Sequence, residues 1–258
     1  MAINGRTILI TRPTGQNDNI RATLEARGAT VLEQPAVNIC PPPRPDELKE
    51  AVRQLANTPN AWTIFSSVNG VARAIEAAQS LFASLKETFN ASGRKIAVVG
   101  AATKKAVESY GLSVDVVPEN FNAEALVVAL DAAIDDYVGL TFFSFRGNRG
   151  RDVLARGLKM RGANFRETVA YEANDATTAS DDVLFALKDG IVDAAIVTSS
   201  RSALALSRIF GEYANNTRWV AISDLTAQTL SELGLKIAAV ADEASDDGLV
   251  AAIESLFK

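Results

Sequence analysis

The sequence matches itself. Shifted by 123 positions, "AVVGAATKKAVESYGLSVDVVPENFNAEALVVAL" lies over "VAISDLTAQTLSELGLKIAAVADEASDDGLVAAI" without a gap, pairing Thr103 with Thr226, Gly111 with Gly234, Leu112 with Leu235 and Leu126 with Leu249. Upstream, at a shift of 134, "TILITRPTGQNDNIRATLEARGATVLEQPA" lies over "TFFSFRGNRGRDVLARGLKMRGANFRETVA", pairing Arg12 with Arg146, Leu24 with Leu158 and Glu33 with Glu167. Between these blocks, Ser66-Ser67 in "WTIFSSVNGV" matches Ser199-Ser200 in "AAIVTSSRSA" at a shift of 133. The fall from 133 to 123 places about ten extra residues in the first copy, near "LFASLKETFNASG". A period this long is no solenoid repeat. It is a duplicated domain.

Each copy reads as alternating strands and helices, with apolar runs such as "TILIT", "WTIFSS" and "IAVVG" between helical patterns such as "DELKEAVRQLA". That alternation predicts an α/β fold: two similar parallel-sheet, flavodoxin-like lobes, each sheet covered by helices on both faces. Ligands of such sheets bind beyond the carboxyl ends of the strands, where the next helix begins. The polar turns after the strands of both copies fall there. Two segments read as linkers, "EQPAVNICPPPRPDE" with its proline cluster and the matching "ETVAYEANDATTASDD". Two linkers at equivalent places predict lobes joined by two chain crossings.

Composition excludes several chemistries. There is no histidine and one cysteine, Cys40, so Ser-His-Asp and Cys-His catalysis are ruled out, a disulfide framework is impossible and no metal site is expected. A net charge of -5 gives no global attraction for nucleic acid or an anionic membrane. No apolar run reaches the roughly 20 residues of a membrane span. The opening "MAINGRTILITRP" has no basic segment followed by an apolar one, so a cytoplasmic location is expected. No GxGxxG or GxxxxGK[ST] follows any expected strand, which argues against a nucleotide-dependent enzyme.

Over nearly its whole length the chain resembles the uroporphyrinogen-III synthase family. The similarity lies in "ILITRP", "WTIFSSVNGV", "AVVGAATKKAVESYGL" with "VPENFNAEAL", "SFRGNRGRDVL", "VAYEAN", "IVTSSRSA" and "AISDLTAQTLSELG", in that order and spacing. The resemblance implies a cofactor-free cyclase of the lyase class. Such an enzyme converts the linear tetrapyrrole hydroxymethylbilane to uroporphyrinogen III, inverting the last pyrrole and losing water. It also implies a division that periodicity alone does not give: residues 1–34 with 174–258 as one lobe, 41–165 as the other, and 35–40 and 166–173 as a two-stranded linker. A monomer is expected, with transient hand-off of substrate from hydroxymethylbilane synthase.

The substrate that the resemblance implies carries eight carboxylates and the protein is acidic, so local donors would have to hold it: helix N-terminal amides, hydroxyls and a few cations. The candidates are Arg12, Ser66, Ser67, Asn69, Gly70, Thr103, Arg146, Gly147, Arg149, Arg151, Ser199, Ser200, Arg201 and Thr226. The family position matching Tyr171 holds a tyrosine, which implies a hydrogen-bond or proton donor to the departing hydroxyl. Each candidate also has a plainer reading. Serine and threonine before a helix are commonly N-caps, contributing about 1 kcal/mol, arginines in turns commonly face water, and Tyr171 sits in an alternating segment that would suit an ordinary strand aromatic. The competing function is a two-lobe small-molecule-binding protein without catalysis, since fold alone does not settle function.

Overall fold

A computed structural model describes residues 2–150 and 152–258. In chain order the elements are β1 (Thr7–Ile10), α1 (Asp18–Ala26), β2 (Thr30–Glu33), β3 (Val37–Cys40), α2 (Pro45–Ala56), β4 (Trp62–Phe65), α3 (Val68–Gln79), α4 (Leu85–Phe89), β5 (Lys95–Val98), α5 (Ala101–Ser109), α6 (Ala123–Asp131), β6 (Thr141–Gly147), α7 (Val153–Met160) and β7 (Asn164–Asp175). They continue with α8 (Asp181–Lys188), β8 (Ala194–Val197), α9 (Ser200–Phe210), a 3-10 turn (Gly211–Asn216), β9 (Arg218–Ala221), α10 (Asp224–Glu232), β10 (Ile237–Val240) and α11 (Asp246–Ser255). The chain divides into two compact units, Met1–Ile39 with Asn174–Lys258 (unit 1) and Cys40–Ala173 (unit 2).

Unit 1 holds a sheet ordered β10-β9-β8-β1-β2, with every pairing parallel. The sheet of unit 2 contains β7-β6-β4-β5 in that order, and all three pairings are parallel. Strand side chains alternate between faces, so each sheet has an apolar layer on both sides. In unit 2, Phe65, Val98, Phe143 and Phe145 face one layer, and Trp62, Ile64, Ala97 and Phe142 face the other. In unit 1, Leu9, Ala195 and Val197 face one layer, and Ile8, Ile10 and Ile196 the other. Strands buried on both faces cannot show a polar alternation, which is why they read in the sequence as continuous apolar runs.

The two units repeat the same plan. Ile8 lies opposite Ala194 in one, and the equivalent Phe142 lies opposite Trp62 in the other. This register corrects the serine match by one residue, because Trp62 corresponds to Ala194 and Ser67 therefore corresponds to Ser199. Capping agrees: Ser67 caps α3 by accepting from Gly70 N, and Ser199 caps α9 by accepting from Ser202 N. Unit 2 has two adjacent hydroxyl residues at this turn, Ser66 and Ser67, and unit 1 has three, Thr198 to Ser200, and only the one with extended backbone at the helix start caps.

The extra residues of the first copy form α4, in the interval where unit 1 has the 3-10 turn Gly211–Asn216. Its Phe89 is fully buried against Phe65, with ring centroids 6.1 Å apart. Burying a phenyl ring of this kind contributes about 1.5–3 kcal/mol. The buried Arg94 anchors the segment through main-chain bonds to Ala56 O and Glu87 O, and desolvation lowers its pKa from the ordinary arginine value. The insertion therefore adds core rather than a loose loop.

Candidate functional site

The carboxyl ends of β4 and β6 and the middle of β7 meet around a cavity of about 260 Å³ in unit 2. Ser66, Ser67, Arg146, Gly147, Arg149 and Tyr171, all drawn from the sequence candidates, share its wall. Ser67 Oγ accepts from Gly70 N at 3.2 Å and lies 3.0 Å from the Tyr171 hydroxyl. One hydroxyl thus caps a helix and touches the phenol.

Two glycines make this arrangement possible. A Cβ on Gly147 would lie 2.8 Å from Cζ of Tyr171, so the ring rests directly on bare backbone. A Cβ on Gly70 would lie 2.5 Å from the carbonyl oxygen of Phe145, so the first turn of α3 sits against β6. Neither glycine is there for its backbone conformation. Both are there for close approach.

Tyr171 is also held through its backbone. Asn148 N donates to Tyr171 O at 3.0 Å, and Asn148 Oδ1 accepts from Ala173 N at 3.0 Å, which clasps the end of β7 to the turn after β6. Arg146 is largely buried and its Nη2 lies 2.6 Å from Glu167 Oε1. Its Nε and Nη1 are buried without a hydrogen-bond partner among the described residues, and a Cβ on Gly150 would run into Nη1.

Other candidates sit elsewhere. Asn69 and Gly70 lie in the first turn of α3 without lining the cavity, and Thr103 is buried in the first turn of α5. In unit 1, Thr226 is buried with its hydroxyl 3.2 Å from Ser223 Oγ, Ser199 Oγ lies 2.8 Å from Ser202 Oγ, and Ser200 Oγ accepts from Thr229 at 2.7 Å. Arg201 Nε meets Asp175 Oδ1 at 2.5 Å, and Arg12 Nη1 meets Asp246 Oδ1 at 2.5 Å. Arg151 lies outside the described residues.

Sequence reasoning passed over Glu167, Ser144 and Ala123, which line the cavity together with Val99, Gly150 and Leu154. Glu167 was visible as the partner of Glu33 in the duplication. Ser144 gave no signal, because it sits inside the apolar run of β6. Among the described residues, no cluster of three or more His, Cys, Asp or Glu side chains could hold a metal ion, and no helix is long and apolar enough to cross a membrane.

With this geometry in place, similarity to known proteins becomes informative. The family profile described as "Uroporphyrinogen-III synthase HemD" matches residues 18–251. The chain belongs to the uroporphyrinogen-III synthase family. It is 32% identical to the uroporphyrinogen-III synthase of Synechococcus elongatus, across 97% of this chain and 95% of that one. Among solved structures, a mutant uroporphyrinogen III synthase from Thermus thermophilus covers 97% of this chain and 98% of its own at 17% identity with a TM-score of 0.62. The synthetase from Helicobacter pylori covers 97% and 99% at 20% identity with a TM-score of 0.61. These two likenesses are of fold. Membership of the synthase family makes the chain an enzyme, a cofactor-independent cyclase of the lyase class in porphyrin biosynthesis, and disfavours the non-catalytic binding protein.

Proposed function

We propose that the chain closes hydroxymethylbilane to uroporphyrinogen III at the strand ends described above, with the unit 2 cavity holding part of the substrate and Tyr171 assisting departure of its hydroxyl. The reaction breaks the carbon–oxygen bond of the hydroxymethyl group and, because the last pyrrole is inverted, the carbon–carbon bond joining that pyrrole to its bridging methylene. Two new carbon–carbon bonds reattach the pyrrole in reversed orientation and close the ring, and the hydroxyl leaves as water with the hydrogen from the pyrrole's free α-carbon. A hydroxymethylpyrrole is electron-rich, so its own nitrogen pushes the hydroxyl out and little acid help is needed. A protein without histidine then catalyses chiefly by holding the chain curled.

The contact between Tyr171 and Ser67 carries this reading. Ser67 Oγ already accepts from Gly70 N, so its own proton is available to the phenol oxygen. Tyr171 then keeps its proton for the cavity, where a leaving hydroxyl can accept it. Arg146 and Arg149 supply positive charge for the substrate's carboxylates. Ser66, Ser199, Ser200, Arg201, Thr103 and Thr226 are assigned to substrate binding more weakly, since the hydroxyls of Ser199, Ser200 and Thr226 already lie within hydrogen-bond reach of neighbouring side chains. The enzyme is taken to be a cytoplasmic monomer that receives its substrate by transient hand-off from hydroxymethylbilane synthase.

The test is a coupled assay. Porphobilinogen and a hydroxymethylbilane-forming deaminase generate substrate, this protein is added, and the oxidised porphyrin isomers are separated. Spontaneous closure gives the type I isomer without inversion. Type III should rise in proportion to added protein, and an unchanged isomer ratio rejects the assignment.

A further inference from the structure

The duplication allows one arginine to be compared with its twin. Arg12, just after β1, and Arg146, near the end of β6, occupy equivalent positions, and both side chains are largely buried, at 19% and 17% exposure. Arg12 is paired with Asp246, the first residue of α11. The equivalent first residue of α6 is Ala123, which lines the cavity beside Arg146. A second change accompanies it. In unit 1, Glu33 takes two hydrogen bonds from Arg21, at 2.9 and 2.7 Å, whereas the position equivalent to Arg21 in unit 2 is Ala155. Loss of one carboxylate and one guanidinium leaves Arg146 and Glu167 to pair with each other through a single nitrogen, Nη2, which the exposed Asp152 also approaches at 3.9 Å, while Nε and Nη1 stay buried and unsatisfied among the described residues.

A buried guanidinium with two unmet donors is costly, and each of these donors forks with Nη2, the nitrogen that Glu167 holds, so a carboxylate that takes Nη2 gains a two-pronged contact. We infer that the unit 2 cavity receives one carboxylate arm of the substrate, which stands beside Arg146 where Asp246 stands beside Arg12. Unit 1 carries its own carboxylate at the equivalent place and takes no arm there. Ala123 is the residue that opens the site, and Glu167 is the internal competitor that the arm displaces from Arg146. This rests on the assignment of a polycarboxylate tetrapyrrole as substrate.

Binding of uroporphyrin III to the full-length protein, followed by fluorescence titration, tests it. Ala123→Asp restores the internal carboxylate and should weaken binding roughly ten- to hundredfold, the span of one charge-assisted pair. Ala123→Asn fills the same volume without charge and should stay within about threefold of the parent. In an Arg146→Gln background the aspartate should add no further loss. Equal effects of Asp and Asn at position 123, or an undiminished effect of Ala123→Asp in the Arg146→Gln background, overturn the inference. Should Ala123→Asp fail to fold by circular dichroism, Glu167→Gln decides instead: removing the competitor should tighten uroporphyrin III binding, and unchanged or weaker binding overturns the proposal. A failed type III assay with these binding differences intact would reject the reaction and keep the carboxylate site. Type III formation with parental affinity in Ala123→Asp would do the reverse.

Discussion

The Tyr171 hydroxyl lies 3.0 Å from Ser67 Oγ, and that oxygen also caps α3 through Gly70 N. In the role proposed for Tyr171, catalysis and helix capping share one atom, and the two separate under substitution. Tyr171→Phe should lower kcat by about 100- to 10,000-fold, the usual worth of a positioned acid, with KM and thermal stability nearly unchanged. Ser67→Ala should cost about 1 kcal/mol of stability from the lost cap and a smaller part of kcat. Steady-state kinetics beside thermal melts would distinguish them. Full turnover in Tyr171→Phe would leave substrate curling as the whole of catalysis.

Gly147→Ala places a methyl group 2.8 Å from the Tyr171 ring. The ring has to move, so kcat should fall nearly as far as in Tyr171→Phe. Combining the two changes should add little, since both act through one phenol. A fully multiplicative double variant would count against this coupling.

Gly70→Ala sets a methyl group 2.5 Å from the Phe145 carbonyl oxygen, which is backbone and cannot swing aside. Overpacking of this kind costs about 1–3 kcal/mol. Chemical denaturation should show a lowered midpoint, with activity per folded molecule changed less than stability.

Unit 2 also carries a pH-sensitive cluster away from the cavity. Arg161 grips Asp131 through two hydrogen bonds, at 2.6 and 2.5 Å, and Tyr137 donates to the same carboxylate at 3.0 Å. Arg161 foremost holds Asp131 below the usual carboxylate range, and burial foremost pushes Tyr137 above the usual phenol range. The stabilising effect of Asp131 is therefore present above about pH 3.9 and is lost as pH falls through the lowered folded value. That of Tyr137 is complete below about pH 10 and is lost as pH rises toward its folded value. Tyr137→Phe should flatten the alkaline decline in melting temperature between about pH 9 and 11.5 and leave the acid limb in place. An unaltered alkaline slope would show that this phenol titrates as it does in the unfolded chain.

Much of the architecture could be read from residues alone, because doubly buried strands and a gapless repeat leave strong patterns. Thr103 and Thr226, or Leu24 and Leu158, mark the duplication directly. The serine turns were harder: two adjacent hydroxyl residues fit a match at either register, and only strand pairing and capping choose Ser67 with Ser199. The cavity was legible through Ser66, Ser67, Arg146, Gly147 and Arg149, at or just after strand ends, and through Tyr171 within β7. Glu167 and Ala123 were not, since their significance lies in which neighbour each copy has lost. An alanine carries no chemical signal until its twin is seen to be Asp246.

Unit 1 is assembled from both ends of the chain, and Thr11 in its opening segment hydrogen-bonds to Ile196 O, 185 residues away. On the ribosome these parts appear in sequence, with unit 2 complete before β8 has been made. β1 consequently leaves the exit tunnel with no partner for its β8 edge and waits through the synthesis of an entire contiguous unit. Its "TILIT" run is the kind of short apolar, β-prone segment that aggregates when left uncovered. The order of translation therefore makes β1, rather than the turns that follow the strands, the part of the nascent chain most in need of protection.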